Sequence, residues 1–404
     1  MRALLSSVGT RGDVQPIVAL GLRVRELGHQ VRLCVPPNFV EWVRGFGFEA
    51  VPVGVEMRHP VGRGPAAPLT AEQLRRLRES MPDLVTNQFE TVGAAAEGCD
   101  AILGANAHQY AARSIAELRG LPYVTALYAP VAIPSPDHLP PPGAGETWEP
   151  GANATINARR WEATLRAWND RALERVNHNR SERGLTPIDD VLRHTITDHP
   201  WLATDGVLAP VPASPGLTVF ETGTWILEDS TPLPPELAAF LEAGAPPLFF
   251  GFGSMPAPHG ASRALVGAAR AVGRRAIISQ GWSELGLLDD APDCIVIGDV
   301  NQQALFRRVA AVVHHGGAGT TATASRAAAP QVVVPMFSDQ FYWASRVRAL
   351  GIGTSVVGAL NTDTLAAALR EVLDPTVAQR STGVAQRLSS DGAMVAARRL
   401  VALE

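Results

Sequence analysis

The sequence predicts an α/β protein made of two doubly wound halves, each a parallel sheet covered by helices, facing each other across a ligand cleft. Three observations predict it. Short apolar runs alternate with helical stretches along the whole chain, the pattern of parallel sheets with helical crossovers. A proline-rich stretch near the middle divides this series in two, as a domain linker does. Each half opens with a strand that runs into a glycine-containing loop, and such loops place ligands at the carboxyl edge of a sheet. A chain of 404 residues has room for two domains at roughly 150 residues each.

The elements follow in order. Ala3-Leu4-Leu5-Ser6-Ser7-Val8 reads as a strand ending in the loop Gly9-Thr10-Arg11-Gly12-Asp13. Residues 14–27 carry apolar positions at helical spacing (Ile17, Leu20, Leu22, Val24, Leu27), with Gly28 as the helix stop. Val31-Arg32-Leu33-Cys34-Val35 is a second strand closed by Pro36-Pro37, followed by a helix over 39–46 and a strand over 49–53. Later units are a strand at Ala101-Ile102-Leu103, a helix over 111–119 and a strand at Tyr123-Val124-Thr125. Residues 130–151 are rich in proline and glycine and predict a loop or lid, and 158–183 predict a long amphipathic helix. Pro210, Pro212, Pro215, Pro232, Pro234 and Pro235 mark the linker. The second series opens with Leu248-Phe249-Phe250-Gly251-Phe252-Gly253-Ser254 and continues with strands over 275–279, 294–297, 311–314 and 331–334, then a closing helix over 392–403. The expected division is 1–210, linker 211–235, 236–390, and a C-terminal helix within 391–404.

Composition narrows the function classes. Hydrophobic residues make up 46% and charged residues 18%, which fits a globular enzyme with sizeable cores. The net charge of −4 is dispersed, so nothing favours a nucleic-acid or anionic-membrane partner. All 35 lysine-or-arginine positions are arginine. That removes a Schiff base to pyridoxal phosphate and a Walker lysine. Cys34, Cys99 and Cys294 are far apart and lie in apolar runs, so they read as buried thiols in a reducing compartment, not as a disulfide framework or zinc site. The N-terminal sequence turns polar too early for a secretory signal, and no run reaches the ~18 apolar residues of a membrane span. The expectation is a cytoplasmic protein with no integral membrane association.

The sharpest chemical feature is His314-His315-Gly316-Gly317-Ala318-Gly319-Thr320-Thr321, entered from an apolar strand and followed by small residues at helical pitch. Amides at such a helix start, with the dipole behind them, form an anion site suited to a pyrophosphate. His315 and the Thr320 hydroxyl add donors. The plainer alternative is a tight turn with glycines for packing. Neither glycine loop is G-x-G-x-x-G with an acidic residue ~20 positions on, which disfavours a single-domain dehydrogenase. Asp13, at a carboxyl edge, is the candidate general base. A carboxyl of ordinary pKa, about 3.9, is a weak base for an alkyl hydroxyl, but burial raises it and a phenolic acceptor needs less help. Aspartate is also a favoured helix N-cap, so both roles stay open.

His315-Gly316-Gly317-Ala318-Gly319-Thr320, with Asp339-Gln340 downstream, resembles the donor-binding motif of family 1 glycosyltransferases of GT-B fold. Gly9-Thr10-Arg11-Gly12-Asp13-Val14-Gln15-Pro16, Val35-Pro36-Pro37, Thr197-Asp198-His199-Pro200-Trp201, Gly251-Phe252-Gly253-Ser254 and Gly281-Trp282 make the chain similar to the bacterial antibiotic glycosyltransferases of the vancomycin group. The resemblance covers essentially the whole chain. Sterol and glycolipid glycosyltransferases share much of it.

That resemblance implies a GT-B enzyme of two facing Rossmann-like domains, the first binding the acceptor and the second the nucleotide sugar. It implies an inverting, metal-independent, hexosyltransferase-type transfer from a dTDP- or UDP-sugar to an apolar natural-product aglycone, with no cofactor beyond that co-substrate. His315, Gly317, Ala318, Gly319, Thr320, Ser254 and Thr10 correspond to diphosphate contacts, and Asp339 and Gln340 to sugar-hydroxyl contacts. Val300 with nearby backbone, and Trp282, correspond to the base-binding stretch. Asp13 stands where many relatives carry histidine and the antibiotic subgroup carries aspartate. His138, in the expected lid, is a candidate acceptor contact. His59, His108, His178, His194 and His259 read as surface or structural, and Trp148, Trp161 and Trp168 as core packing or an apolar acceptor groove. Specificity is expected in the loops over 57–70 and 130–151. The rivals are a sterol or glycolipid glycosyltransferase, a nucleotide-sugar epimerase on the same architecture, and a silent binding protein that keeps the fold.

Overall fold

The structure, a computed structural model, describes residues 1–56, 83–106, 108–142, 153–255, 257, 260–282 and 285–403. The loop over 57–70, residues 143–151 of the expected lid, His59, Trp148 and His259 lie outside the described residues.

The first half runs β1 (Arg2–Ser7), α1 (Arg11–Glu26), β2 (Gln30–Val35), α2 (Val40–Arg44), β3 (Glu49–Pro52), α3 (Leu84–Ala95), β4 (Ala101–Ala105), α4 (Ala112–Arg119) and β5 (Tyr123–Leu127). It continues with α5 (Ala154–Ser181), α6 (Val191–Ile196), β6 (Trp201–Leu202) and β7 (Phe220–Glu221). The strands form one parallel sheet in the order β3-β2-β1-β4-β5-β6-β7. Leu5 pairs with Leu33 on one side and Leu103 on the other. Covered on both faces, β4 (Ala101-Ile102-Leu103-Gly104-Ala105) is buried along its whole length and does not alternate. β7 falls inside the 211–235 stretch.

The second half runs α7 (Pro235–Glu242), β8 (Leu248–Gly251), α8 (Ala261–Ala271), β9 (Ala276–Ser279), β10 (Cys294–Ile297), α9 (Gln302–Leu305), β11 (Ala311–His314) and α10 (Ala318–Arg326). β12 (Gln331–Val333), α11 (Gln340–Ala349), β13 (Gly353–Ser355), α12 (Thr362–Val372), α13 (Pro375–Ala385) and α14 (Gly392–Val401) complete it. Its parallel sheet has the order β10-β9-β8-β11-β12-β13, and Val313 pairs with Phe250 and Val332. Strand order therefore reverses between β1 and β4 in one sheet and between β8 and β11 in the other. Crossovers leave to opposite faces at such a point, which opens a crevice at the carboxyl ends. The protein is two Rossmann-like domains of the α/β class.

α14 returns to the first half. Ala393, Ala396, Ala397 and Leu400 are buried in the same cluster as Val14, Ile17, Val18, Trp225 and Leu227. Small residues let the helix come close: a Cβ on Gly392 would fall 2.4 Å from the Gly223 carbonyl carbon. Among the described residues no helix is long and apolar enough to cross a membrane.

One local expectation is corrected. α1 begins at Arg11, not at residue 14, with Thr10 as N-cap. Asp13 is therefore neither a loop residue nor an N-cap but the third residue of the helix, its N–H reaching the Thr10 carbonyl at 3.0 Å. The apolar pattern starts late because Arg11, Gly12 and Asp13 add nothing to the core face of the first turn.

Candidate functional site

The end of β1 builds the first wall. Its chain turns at Gly9, whose φ of +147° is open to glycine, and a Cβ there would lie 2.2 Å from Asp13 Oδ2. The Asp13 carboxylate thus lies over bare backbone. Its Oδ2 accepts the Thr10 N–H at 2.7 Å and the Thr10 hydroxyl at 3.3 Å, the reciprocal arm of a capping box. Its Oδ1 accepts the side-chain amide of Asn106, the residue just past β4. The main-chain carbonyl of Asp13 accepts the hydroxyls of Ser7 at 3.0 Å and Tyr128 at 3.1 Å. Burial pushes the Asp13 carboxyl above its usual range, against the opposing pull of the Thr10 N–H and the Asn106 amide. The expected weakness of an aspartate base is reduced in that direction.

The second wall is built at β8 and β11. The paired histidines have different jobs. His314 is fully buried; its Nδ1 accepts the Gly316 N–H at 3.1 Å, and its Nε2 meets Gln331 Oε1 at 3.0 Å. Those partners fix the neutral tautomer with the proton on Nε2. Burial drives its pKa down to about 3, so it is a structural pin for the glycine turn. His315 packs against two glycines. A Cβ on Gly253 would stand 3.3 Å from its Cε1, and one on Gly317 would stand 2.5 Å from its Nε2. Its Nδ1 is buried with no partner among the described residues, and burial lowers its pKa to about 4. A buried, unpaired ring nitrogen is costly unless a ligand completes it.

α10 starts at this ring. The Thr321 N–H is bonded to the Gly317 carbonyl at 3.0 Å, so the N–H groups of Ala318, Gly319 and Thr320 precede the first intrahelical donor and point out of the helix end. With the dipole they form an anion cradle. Ser254 follows Gly253 beside it. The Thr10 hydroxyl, expected as a further diphosphate donor, gives its hydrogen to Asp13 in this arrangement.

The loop between β12 and α11 ends at Asp339, and Gln340 opens α11. Gln340 is buried, and its Oε1 accepts the N–H groups of Met336 at 2.7 Å and Phe337 at 3.2 Å. Its carboxamide oxygen shapes the loop, and only its NH₂ remains to meet a ligand. Asp339 accepts the Trp343 indole N–H at 3.0 Å. Burial raises its pKa to about 6, opposed by the Trp343 bond and reinforced by the Asp13 charge. Asp13 and Asp339 therefore sense each other from opposite domains.

At the expected base-binding end, the Trp282 N–H donates to the Gly253 carbonyl at 2.8 Å, and its ring lies nearly parallel to Phe39 of the first domain, centroids 6.5 Å apart. The Val300 side chain packs with the cluster of Leu305 and Phe306, leaving its backbone as the part available to a base. Next to it, Asp299 pairs with Arg11 across the cleft at 2.9 Å. His138 also faces the other domain, its ring 6.4 Å from that of Tyr342 on α11. Its Nδ1 meets the Leu139 carbonyl at 3.0 Å, while Nε2 is buried with no partner among the described residues. Trp161 is buried and donates to the His138 carbonyl at 3.0 Å. Trp168 stacks on His108 at 5.1 Å. His194 belongs to a structural group with Ser114 and the buried Arg180.

Sequence reasoning missed Asn106, Tyr128 and Trp343. Only one signal pointed to Asn106: a polar residue directly after an apolar strand. Linking it to Asp13 requires knowing that β4 lies beside β1.

Comparison with known proteins agrees with this geometry. Residues 3–133 match the Glycosyltransferase family 28 N-terminal domain, and residues 263–402 match the Erythromycin biosynthesis protein CIII-like C-terminal domain. The chain is 47% identical over 405 residues to vancomycin aglycone glucosyltransferase of Amycolatopsis orientalis, covering 99% of this chain and 97% of that protein. Among solved structures, the glycotransferase of kitacinnamycin aligns over 100% of this chain and 98% of its own, with TM-score 0.73 at 20% identity. The glycosyltransferase VinC, solved in complex with dTDP, aligns over 100% and 99% with TM-score 0.67, also at 20% identity. Two facing parallel-sheet domains, an anion cradle at the second switch point and near-full-length identity to a vancomycin-group enzyme lead to one statement: this chain belongs to the vancomycin-type antibiotic glycosyltransferases of GT-B fold.

Proposed function

We propose that the enzyme transfers a hexosyl group, with inversion, from a dTDP- or UDP-sugar to an apolar natural-product aglycone. The observation that carries this reading is the opposition of two half-built sites. The Asp13 carboxylate stands on one wall, and on the other is a cradle in which the buried His315 Nδ1 has no partner among the described residues and the three helix-end N–H groups precede the first intrahelical bond. Asp13 takes the proton of the acceptor hydroxyl as its oxygen bonds to the anomeric carbon. The bond from that carbon to the diphosphate breaks, and its electron pair leaves with the nucleotide diphosphate. Charge growing there is met by the 318–320 amides, His315 and Ser254, donors fixed before the reaction begins. We propose that these donors suffice without a metal ion or other cofactor.

Asp339 and the Gln340 NH₂ are assigned to the sugar hydroxyls, and the 298–302 backbone with Trp282 to the base. His138 Nε2 and the first domain are assigned to the acceptor. The glucose donor follows the name of the 47%-identical relative, and the dTDP alternative follows the VinC complex. The test is UDP-glucose and dTDP-glucose, each with vancomycin aglycone, in EDTA, read by mass spectrometry. A β-linked glucoside lost in Asp13→Asn supports the reading. An epimerised donor formed without acceptor, or undiminished transfer by Asp13→Asn, refutes it.

A further inference from the structure

We infer that Asn106 is a positioning residue of the transfer step, its side-chain amide holding the Asp13 carboxylate in the orientation that meets the acceptor hydroxyl. The inference rests on the assignment of Asp13 as base and adds a residue that carries no motif. Three observations support it. The Asn106 Nδ2 donates to Asp13 Oδ1 across 93 positions of sequence. Asn106 itself adopts φ +66°, one of four non-glycine residues among those described with positive φ, beside Thr197, Ala328 and Ser338. Asparagine tolerates that conformation better than most side chains, and such strain persists where surroundings over-determine it. Its N–H is also fixed, to the Ala126 carbonyl of β5 at 2.7 Å. The amide is thus held at the switch point and aimed at one carboxylate oxygen.

The count of donors gives the arrangement its purpose. A carboxylate offers about four acceptor sites. Thr10 N–H, Thr10 Oγ1 and Asn106 Nδ2 fill three of them, which leaves one for the incoming hydroxyl. An amide suits the position because it donates but does not compete for the acceptor's proton. The other titratable groups facing Asp13 are Asp339, across the cleft, and the Tyr128 hydroxyl, on its main-chain carbonyl. The adjacent Arg11 is committed to Asp299 and to the face of Trp42.

The test uses the full chain labelled with ¹³C at aspartate carboxyls, the Asp13 signal being assigned by its loss in Asp13→Asn. Asn106→Gly accepts the left-handed backbone and removes the amide. Asn106→Asp keeps the size and replaces the donor with a like charge. The Asp13 midpoint should rise by roughly one pH unit in Asn106→Gly and further in Asn106→Asp. With UDP-glucose, and with vancomycin aglycone and water as acceptors, kcat in Asn106→Gly should fall about 10- to 100-fold while the donor KM stays within about threefold. An Asp13 midpoint and kcat both unmoved in a folded Asn106→Gly, with Asp13→Asn inactive, overturn the Asn106 assignment alone. Full transfer by Asp13→Asn overturns the base and its positioning residue together.

Discussion

Replacing Gly317 with alanine isolates the contribution of His315 from that of the fold. Gly317 has φ −66° and ψ 144°, extended backbone that alanine adopts freely, so the substitution should change stability by no more than about 1 kcal/mol. Its new Cβ, however, would stand 2.5 Å from His315 Nε2, against an ordinary contact of 3.4 Å or more. The imidazole must retreat by about 1 Å to restore an ordinary contact. A misplacement of that size costs about 100-fold in rate, equivalent to about 2.7 kcal/mol of barrier. The assay pairs kcat/KM for glucosyl transfer with a thermal melt of the same sample. Loss of rate at an unchanged melting temperature is the expected outcome. Wild-type kcat/KM in Gly317→Ala would refute the placement of His315 against the leaving group. A collapse in melting temperature would show that the glycine serves packing instead.

Three further outcomes follow from the same geometry. Trp343→Phe removes the indole donor to Asp339, so that carboxyl should titrate above its present value of about 6. The pH at which donor KM begins to rise on acidification should move upward, as read from KM measured between pH 5 and 8. His314 is neutral in the fold with a pKa near 3, whereas an unfolded histidine takes up a proton below about 6.5. Its folded-state value is depressed, so stability is lost as pH falls below 6.5, at about 1.4 kcal/mol per pH unit. Denaturation of His314→Gln, followed from pH 7 to 5, should show a shallower acid decline; an unchanged slope would remove His314 as its source. Leu400→Ala empties a fully buried position in the cluster that joins α14 to α1 and should cost about 2–5 kcal/mol. A change below about 0.5 kcal/mol in urea unfolding would mean that α14 does not anchor the first half.

The elements were legible because their signals are local. Strands such as Leu248–Gly251 and Cys294–Ile297 are uninterrupted apolar runs between turn residues, legible without knowledge of their neighbours. The start of α1 was misjudged because capping by Thr10, not apolar spacing, sets it. Within the site, the 314–321 cradle was legible because strand, glycines and helix start are contiguous. Gln340 and His314 illustrate the limit: each was readable as a polar residue near a motif. Only their partners, the Met336 and Phe337 N–H groups and the pair Gly316 and Gln331, assign their polar atoms to holding loops.

Two α/β halves, a strand–glycine–helix start at 314–321 and an aspartate at a carboxyl edge are all readable from the chain alone. Which residues stand together there depends on how the strands and domains pack. Asn106 reaches Asp13 because β4 lies beside β1. Asp339, past the end of β12, feels the charge of Asp13 from the other domain, and α14 buries its alanines in the first half although it follows the second. The physical reason is that hydrophobic period and turn chemistry act over a few residues. Strand order and domain facing depend on where crossovers lead and which faces bury together, and those choices leave no local mark in the chain.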